Sequence, residues 1–247
     1  MNKKDKENLE FKREILIEIY EYLSEISSED FMMSNYYMSK SDRLRDCKKR
    51  HWCRVKLCPV CNFYRQLKVS KDLTEIMNYL TKDYNFFFIT LTIKNCQGKE
   101  LSYKLSEMMK AWNKFVEHQT IKNSIIGWYR WIEITYNMDK KTYHPHLHII
   151  AATPNENIDK KEFQSQWKKT LCLDYDPVIN ITKVRNLENM PNYVIKIDKD
   201  KNVILKMETY CKTYCEIVAV LDGVLDHRRI SGWGGEMKRL KKLFKEV

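Results

Sequence analysis

Glycine and proline are scarce, with six and five residues in a chain of 247. That scarcity excludes collagen-like, elastic and linker-rich chains. No long apolar run is present either. The longest, Phe86–Ile93, falls far short of the roughly 20 residues that span a bilayer. The opening residues, MNKKDKENLEFKREILIEIY, are charged throughout, so no secretory leader is expected. Acidic residues are too few to balance the basic ones: 33 Asp+Glu face 44 Lys+Arg, a net charge of +11. At 43% hydrophobic and 31% charged, the composition is that of a folded chain and not a disordered one. Length allows one or two domains with a sizeable core. The expectation is a soluble, cytoplasmic protein with no membrane partner.

Excess positive charge favours an anionic partner, most commonly nucleic acid. The basic residues cluster at Arg43–Lys56 (RLRDCKKRHWCRVK) and His227–Lys245 (HRRISGWGGEMKRLKKLFK), with Trp52, Trp233 and Phe244 among them. Cations interleaved with aromatics suit phosphate contact and base stacking.

Eight cysteines without a leader do not read as disulfides. Four crowd together as Cys47-x5-Cys53-x4-Cys58-x2-Cys61. The Cys58-Pro-Val-Cys61 turn can aim two thiolates at one ion, and a tetrahedral Zn²⁺ site needs four ligands. His51 is an alternative to Cys47. A redox CxxC would need a strand–helix frame that this region lacks. Structural zinc would fold a segment too polar to fold alone. It would also present Arg43, Arg45, Lys48, Lys49, Arg50, Arg54 and Lys56 as a cationic surface, with Arg50, Arg54 and Lys56 the candidate DNA contacts. The other cysteines are scattered, and Cys211 and Cys215 read as small core residues.

Apolar periodicity predicts helices over 6–26, 67–80, 101–119, 160–172 and 206–221, with a basic helix at the C-terminus. Residues 28–46 show no assignable pattern. Strands are expected at 86–95, 124–137, 142–153 and 178–184. The middle two form a hairpin through MDKK. Residues 187–196 suggest a short helix, and SGWGG suggests a turn. This order gives an α+β fold, with a mostly antiparallel central sheet and flanking helices, plus the small Cys-rich segment. Four regions are expected: 1–46 helical, 47–66 zinc-binding, 67–205 the sheet-bearing core and 206–247 basic helical.

The sharpest feature is His144-Pro-His146-Leu-His148-Ile-Ile. Alternate residues of a strand share a face, so His146 and His148 point the same way and Leu147 points oppositely. His144 joins them unless Pro145 twists the strand. Two adjacent imidazoles make half of a divalent-metal site. Glu133, in WIEIT of the preceding hairpin strand, is the natural third ligand. Two enzyme classes use such a strand. Histidine-triad nucleotide hydrolases carry alternating histidines, and HUH endonucleases hold a metal over a scissile phosphate with His-hydrophobe-His.

An HUH nuclease also needs a downstream tyrosine on a helix. Asn192-Tyr193-Val194-Ile195-Lys196 supplies one, with Lys196 one helical turn beyond Tyr193. Tyr210 and Tyr214 are rivals. Four segments in order resemble the plasmid rolling-circle replication initiators of the HUH superfamily, of the single-tyrosine type found in small Gram-positive plasmids. LCPVCNFYR is similar to that family's cysteine motif, and FFFITLTIKN to its first conserved strand. WIEITYNMDKKTYHPHLHII resembles its Glu and HUH strands. NYVIK and ISGWGGEMKRLKKL resemble its tyrosine motif and C-terminal segment. The resemblance spans about residues 45–245 and leaves little idle, whereas the histidine-triad reading explains seven residues.

The resemblance implies an HUH endonuclease-like fold and a metal-dependent, origin-specific nicking-joining reaction through a 5′-phosphotyrosine at Tyr193. It implies Mn²⁺ or Mg²⁺ held by His146, His148 and Glu133, with His144 matching the family's HPH, and Lys196 orienting the phosphate. Its partners would be single-stranded or cruciform origin DNA, and host helicase and polymerase. The pattern departs at one place. A glutamate usually precedes the tyrosine by one helical turn, where this chain has Asn189; Glu188 stands one further back and is the candidate for the terminating step. A relaxase, a single-strand transposase and a non-catalytic zinc-stabilised DNA-binding regulator are the competing readings.

Overall fold

The computed structural model describes residues 3–48, 51–184 and 207–246, with side chains in 207–211 excepted. The described chain forms eight helices and five strands, labelled here in chain order. Contacts divide it into two compact units. Of the described residues, one contains 3–48, 51–71 and 207–228, and the other 72–184 and 229–246.

The first unit is helical. It contains α1 (Lys3–Ile26), α2 (Phe31–Arg45), the start of α3 (Pro59–Leu80) and α7 (Met207–Leu225). Helix α1 buries Leu9, Leu16, Ile19 and Tyr20 from the apolar periodicity, together with Ile17 and Leu23, while Ile15 is half-buried. Helix α2 occupies the stretch without an assignable pattern. Asp30 caps it, its carboxylate accepting from the Met33 N–H. Its buried residues are Tyr37, Lys40, Ser41 and Leu44, two of them polar. No apolar stripe marks this helix because ion pairs and hydrogen bonds hold much of its inner face.

The central ion pair joins Lys40 to Asp222 of α7 at 3.3 Å and to Asp226 at 3.0 Å. Tyr20 donates to Asp222 at 2.8 Å, and Tyr36 donates to both carboxylates. Burial pushes the Tyr20 and Tyr36 phenols well up. Burial also raises the Asp226 carboxyl, but hydrogen bonds from Lys40 and Tyr36 outweigh it and draw the group down to about 2. A carboxyl lowered on folding stabilises the fold above its unfolded pKa of roughly 4. That contribution disappears as pH falls towards the folded value. Asp226→Asn should therefore melt below the wild type at neutral pH, with the gap closing between about pH 4 and pH 2. A gap independent of pH across that window would refute the linkage.

The second unit is built on an antiparallel sheet of order β4-β1-β3-β2-β5. Its strands are β1 (Asn85–Thr92), β2 (Gly127–Asn137), β3 (Thr142–Thr153), β4 (Ile179–Lys183) and β5 (Ser231–Gly234). The α+β architecture with an antiparallel sheet is as expected. Strand β3 sits in the middle, so Leu147, Ile149, Ile150, Ala151 and Ala152 are fully buried. Helices α4 (Gly98–Glu117) and α6 (Lys160–Thr170) pack together, with Phe115 against Phe163 and Trp167. Trp112 of α4 meets Trp128 of β2 edge-on at 5.1 Å, so α4 covers the sheet face that carries Trp128. Short α5 (Gln119–Ser124) leads into β2.

One expectation fails here. SGWGG is not a plain turn: its first four residues form edge strand β5, and Gly235 opens α8 (Gly235–Glu246). The glycines serve close approach rather than reversal. A Cβ at Gly234 would fall 2.2 Å from the Trp128 ring. Gly235 has φ +53° and lies against the Ile126 carbonyl, where a Cβ would also come within 2.2 Å.

Candidate active site and metal centre

Register places the histidines. Antiparallel partners share a face, and β3 lies between β1 and β2. On β2, Thr135 stands opposite His144, Glu133 opposite His146 and Trp131 opposite His148. On β1, Thr90 stands opposite His148 and Thr92 opposite His146. Pro145 does not break the pattern, and all three histidines share one face. The His144 and His146 rings are 4.1 Å apart, and His146 and His148 stack at 5.8 Å with planes 12° apart. Phe88 and Trp131 pack on His148 at 5.3 and 5.2 Å.

His148 is buried, and both its ring nitrogens are engaged. Nδ1 lies 3.1 Å from the Thr90 hydroxyl, and Nε2 lies 2.5 Å from the Glu133 carboxylate. Two electron-rich atoms this close need a proton or a cation between them. A hydroxyl on the far nitrogen is the kind of outer contact that orients metal-binding imidazoles. The donor set fits a divalent ion: imidazoles and a carboxylate from adjoining strands, on a face carrying Thr90 and Thr92. His148 and Glu133 form the direct pair, and His146 and His144 continue the row along β3.

The cysteines form a closed group. Cys47, Cys53, Cys58 and Cys61 are all buried, with ligand atoms within 4.8 Å of one another. Among the described residues this is the one set of three or more such ligands that converges so tightly. Sulfur separations of 3.5 Å (Cys47–Cys61, Cys53–Cys61) and 3.7 Å (Cys47–Cys58) show free thiols, not disulfides. Hydrogen bonds from Cys53 and Cys58 draw the Cys61 thiol down, while hydrogen bonds to Cys53 and Cys61, together with burial, push the Cys58 thiol up. Four touching sulfurs cannot all ionise without a cation, and Cys₄ is a donor set suited to zinc. His51 is exposed and outside this set, so Cys47 supplies the fourth position.

Two arginines brace this cluster. Arg13 donates to the Cys47 carbonyl at 2.9 Å, and Arg43 donates through Nε to the Cys53 carbonyl at 2.9 Å. Arg43 remains exposed, with part of its guanidinium committed to that carbonyl. Arg45 pairs with Glu21. Lys56 donates to the Arg228 carbonyl at 3.0 Å. Arg54 stays exposed in a left-handed conformation, φ 58°, beside the exposed Trp52, which packs on Tyr64.

Comparison with known proteins now bears on these two centres. The family model described as replication protein matches residues 44–247. The chain belongs to that replication-protein family. A protein named Protein rep from Bacillus amyloliquefaciens is 28% identical over 249 residues, covering 84% of this chain and 74% of its own. Protein rep from Streptococcus pneumoniae serotype 2 is 28% identical over 204 residues, covering 78% of this chain and 63% of its own. A Replication protein from Staphylococcus aureus is 25% identical over 170 residues, covering 64% of this chain and 72% of its own. No solved structure matches the chain significantly. The family match spans both the cysteine group and the histidine row.

Several candidate residues of this replication protein lie outside the described residues: Tyr193, Lys196, Glu188 and Arg50, together with the short helix expected at 187–196. Of the rival tyrosines, Tyr214 packs against the helical core, and the Tyr210 side chain is also outside the described set. Cys215 is buried as expected. Sequence reading missed Thr90, whose role depends on the β1–β3 register, and Arg13, which lies 34 residues from the cysteine it supports. Neither leaves a local signal.

Proposed function

We propose that this replication protein is an origin-specific DNA nicking-joining endonuclease that initiates plasmid rolling-circle replication. The observation that supports it best is the Glu133–His148 contact within a row of three histidines on one sheet face. His146, His148 and Glu133 would hold Mn²⁺ or Mg²⁺, with His144 beside them, and the bound ion supplies positive charge to the phosphate undergoing transfer. Thr90 fixes the His148 ring, and Phe88 and Trp131 limit water around it.

Tyr193 is the proposed nucleophile. Its phenolic oxygen bonds to phosphorus and gives up its proton. The P–O3′ bond breaks, and the leaving oxygen takes a proton to become the 3′-OH that primes synthesis. The protein keeps a 5′-phosphotyrosine. Lys196 is proposed to orient the phosphate, and Glu188 to activate the terminating nucleophile. The Cys₄ group is proposed as a structural Zn²⁺ site, with Arg50, Arg54 and Lys56 contacting DNA near it. Single-stranded or cruciform origin DNA is the proposed substrate. Host helicase and polymerase are the proposed further partners, with the cytoplasm as the place of action.

Single-stranded origin oligonucleotide with Mn²⁺ should yield a denaturation-resistant protein–DNA adduct. Tyr193→Phe should abolish it, a loss on the order of 10⁴-fold or more. Loss in Tyr210→Phe or Tyr214→Phe instead would move the nucleophile. Hydrolysis of an AMP ester without any adduct would favour a histidine-triad hydrolase. A duplex mobility shift without cutting would favour a regulator.

A further inference from the structure

Of the six tryptophans, Trp52 alone is exposed, at 44%. Tryptophan is a costly side chain to leave in water, and on average it is largely buried in folded chains. Its ring contact among the described residues is Tyr64 of α3, at 5.2 Å with planes 53° apart. Tyr64 in turn meets Phe63 edge-on at 5.6 Å, and Phe63 belongs to the core that holds the cysteines. The indole is thus anchored on one side and open to solvent on another.

The backbone around it is pinned by the sulfur group. Burial alternates from Trp52 to Val55: Trp52 and Arg54 are exposed, and Cys53 and Val55 are buried. The Arg54 N–H donates to the Cys61 sulfur, and the Val55 N–H to the Cys53 sulfur. Arg54 takes φ 58°, a left-handed conformation that a residue other than glycine holds only where its surroundings impose it. Arg43 is exposed too, and its Nε donates to the Cys53 carbonyl at 2.9 Å. The open indole therefore has two cationic neighbours, Arg54 on the same outward-facing run and Arg43 at the carbonyl between them. We propose that Trp52 stacks an unpaired base of single-stranded DNA and that Arg43 and Arg54 take its neighbouring phosphates.

This site rests on the function proposed above and adds a base-binding position to it. An aromatic face stacks any base, and cations beside it hold the backbone, which is how proteins grip single strands without sequence choice. The net charge of +11, with basic residues concentrated over 43–56, favours an anionic partner. A duplex keeps its base faces stacked inside, so an exposed indole singles out an unpaired strand. None of the three side chains supplies a group that the proposed phosphoryl transfer uses, so their role is binding.

The test is binding to oligo-deoxythymidine and to an abasic strand of the same length, measured by fluorescence anisotropy over a salt series. Full-length protein purified without chelators and carrying Tyr193→Phe is the parent, so that nothing is cut. Trp52→Ala should weaken binding to oligo-deoxythymidine about 5- to 100-fold, the worth of one stacked base. It should leave the abasic strand nearly unaffected and the log–log salt slope unchanged. Trp52→Phe should keep most of the parent's affinity. Arg54→Gln should flatten the slope by about 0.7 on both strands, the loss of one phosphate contact; an unchanged slope would remove the arginine from the site. Equal weakening on both strands by Trp52→Ala, or none on either, would overturn base stacking. If Trp52→Ala fails to fold, fluorescence decides: oligo-deoxythymidine should quench the tryptophan emission of the parent more than that of Trp52→Phe, and equal quenching would overturn the site. A parent that binds no single-stranded DNA sinks the functional reading too, whereas tight binding unchanged by Trp52→Ala sinks only this site.

Discussion

His148→Ala should reduce metal-dependent nicking by about 10²- to 10³-fold, the rate equivalent of losing several kcal/mol of charge stabilisation. The proposed ion would lose a ligand, and Glu133 would lose its contact at 2.5 Å. Glu133→Gln should fall by a similar factor, since it removes the negative charge and keeps the shape. Thr90→Val is the finer probe. It touches neither DNA nor ion in the proposed mechanism, but it removes the hydroxyl 3.1 Å from Nδ1. Its expected signature is a 10- to 100-fold rise in the Mn²⁺ needed for half-maximal nicking, with the saturated rate largely restored, roughly as for outer-shell changes at other metal sites. Equal activity of all three variants at every Mn²⁺ concentration would remove the histidine row from the chemistry.

The second large effect concerns the cysteines. Protein purified without chelators should carry one zinc per chain, and Cys58→Ser should carry none. Structural zinc contributes roughly 10–16 kcal/mol in small zinc-folded peptides. A whole domain is stable by only about 5–15 kcal/mol. Losing the ion should therefore unfold the segment around Cys47–Cys61 and loosen the helices packed on it, since the four cysteines sit in one core with Leu16, Tyr20, Leu44 and Phe63. Circular dichroism during zinc removal should show lost helix. Native melting of a zinc-free Cys58→Ser protein would defeat the structural role.

How legible this was depended on what each residue packs against. The histidine row could be read because side chains on a strand point alternately to its two faces, and burial alternates along β3 from Thr142 to Leu147 before becoming continuous. Cysteine spacing was equally local. Helix α2 was illegible because Lys40 and Ser41 face inward, satisfied by Asp222 and Glu21 from distant parts of the chain. Strand β5 was hidden by glycines that normally signal turns, though here they admit the Trp128 ring and the Ile126 carbonyl. The register that sets Thr90 beside His148 belongs to the assembled sheet alone.

The two candidate ion positions differ in what gives them shape. The histidine row lies on the middle strand, laddered to a neighbour on either side, and its key ring is wedged between Phe88 and Trp131. The main chain would keep that template intact with the cation gone, so one divalent ion can be traded for another without refolding. The sulfur group has no sheet beneath it. Cys47, Cys53 and Cys58 lie in the connection between α2 and α3, and Cys61 in the first turn of α3, so three of its four donors hang on irregular backbone. Depletion and replenishment would thus be a quick exchange at the first position and a matter of collapse and rebuilding at the second.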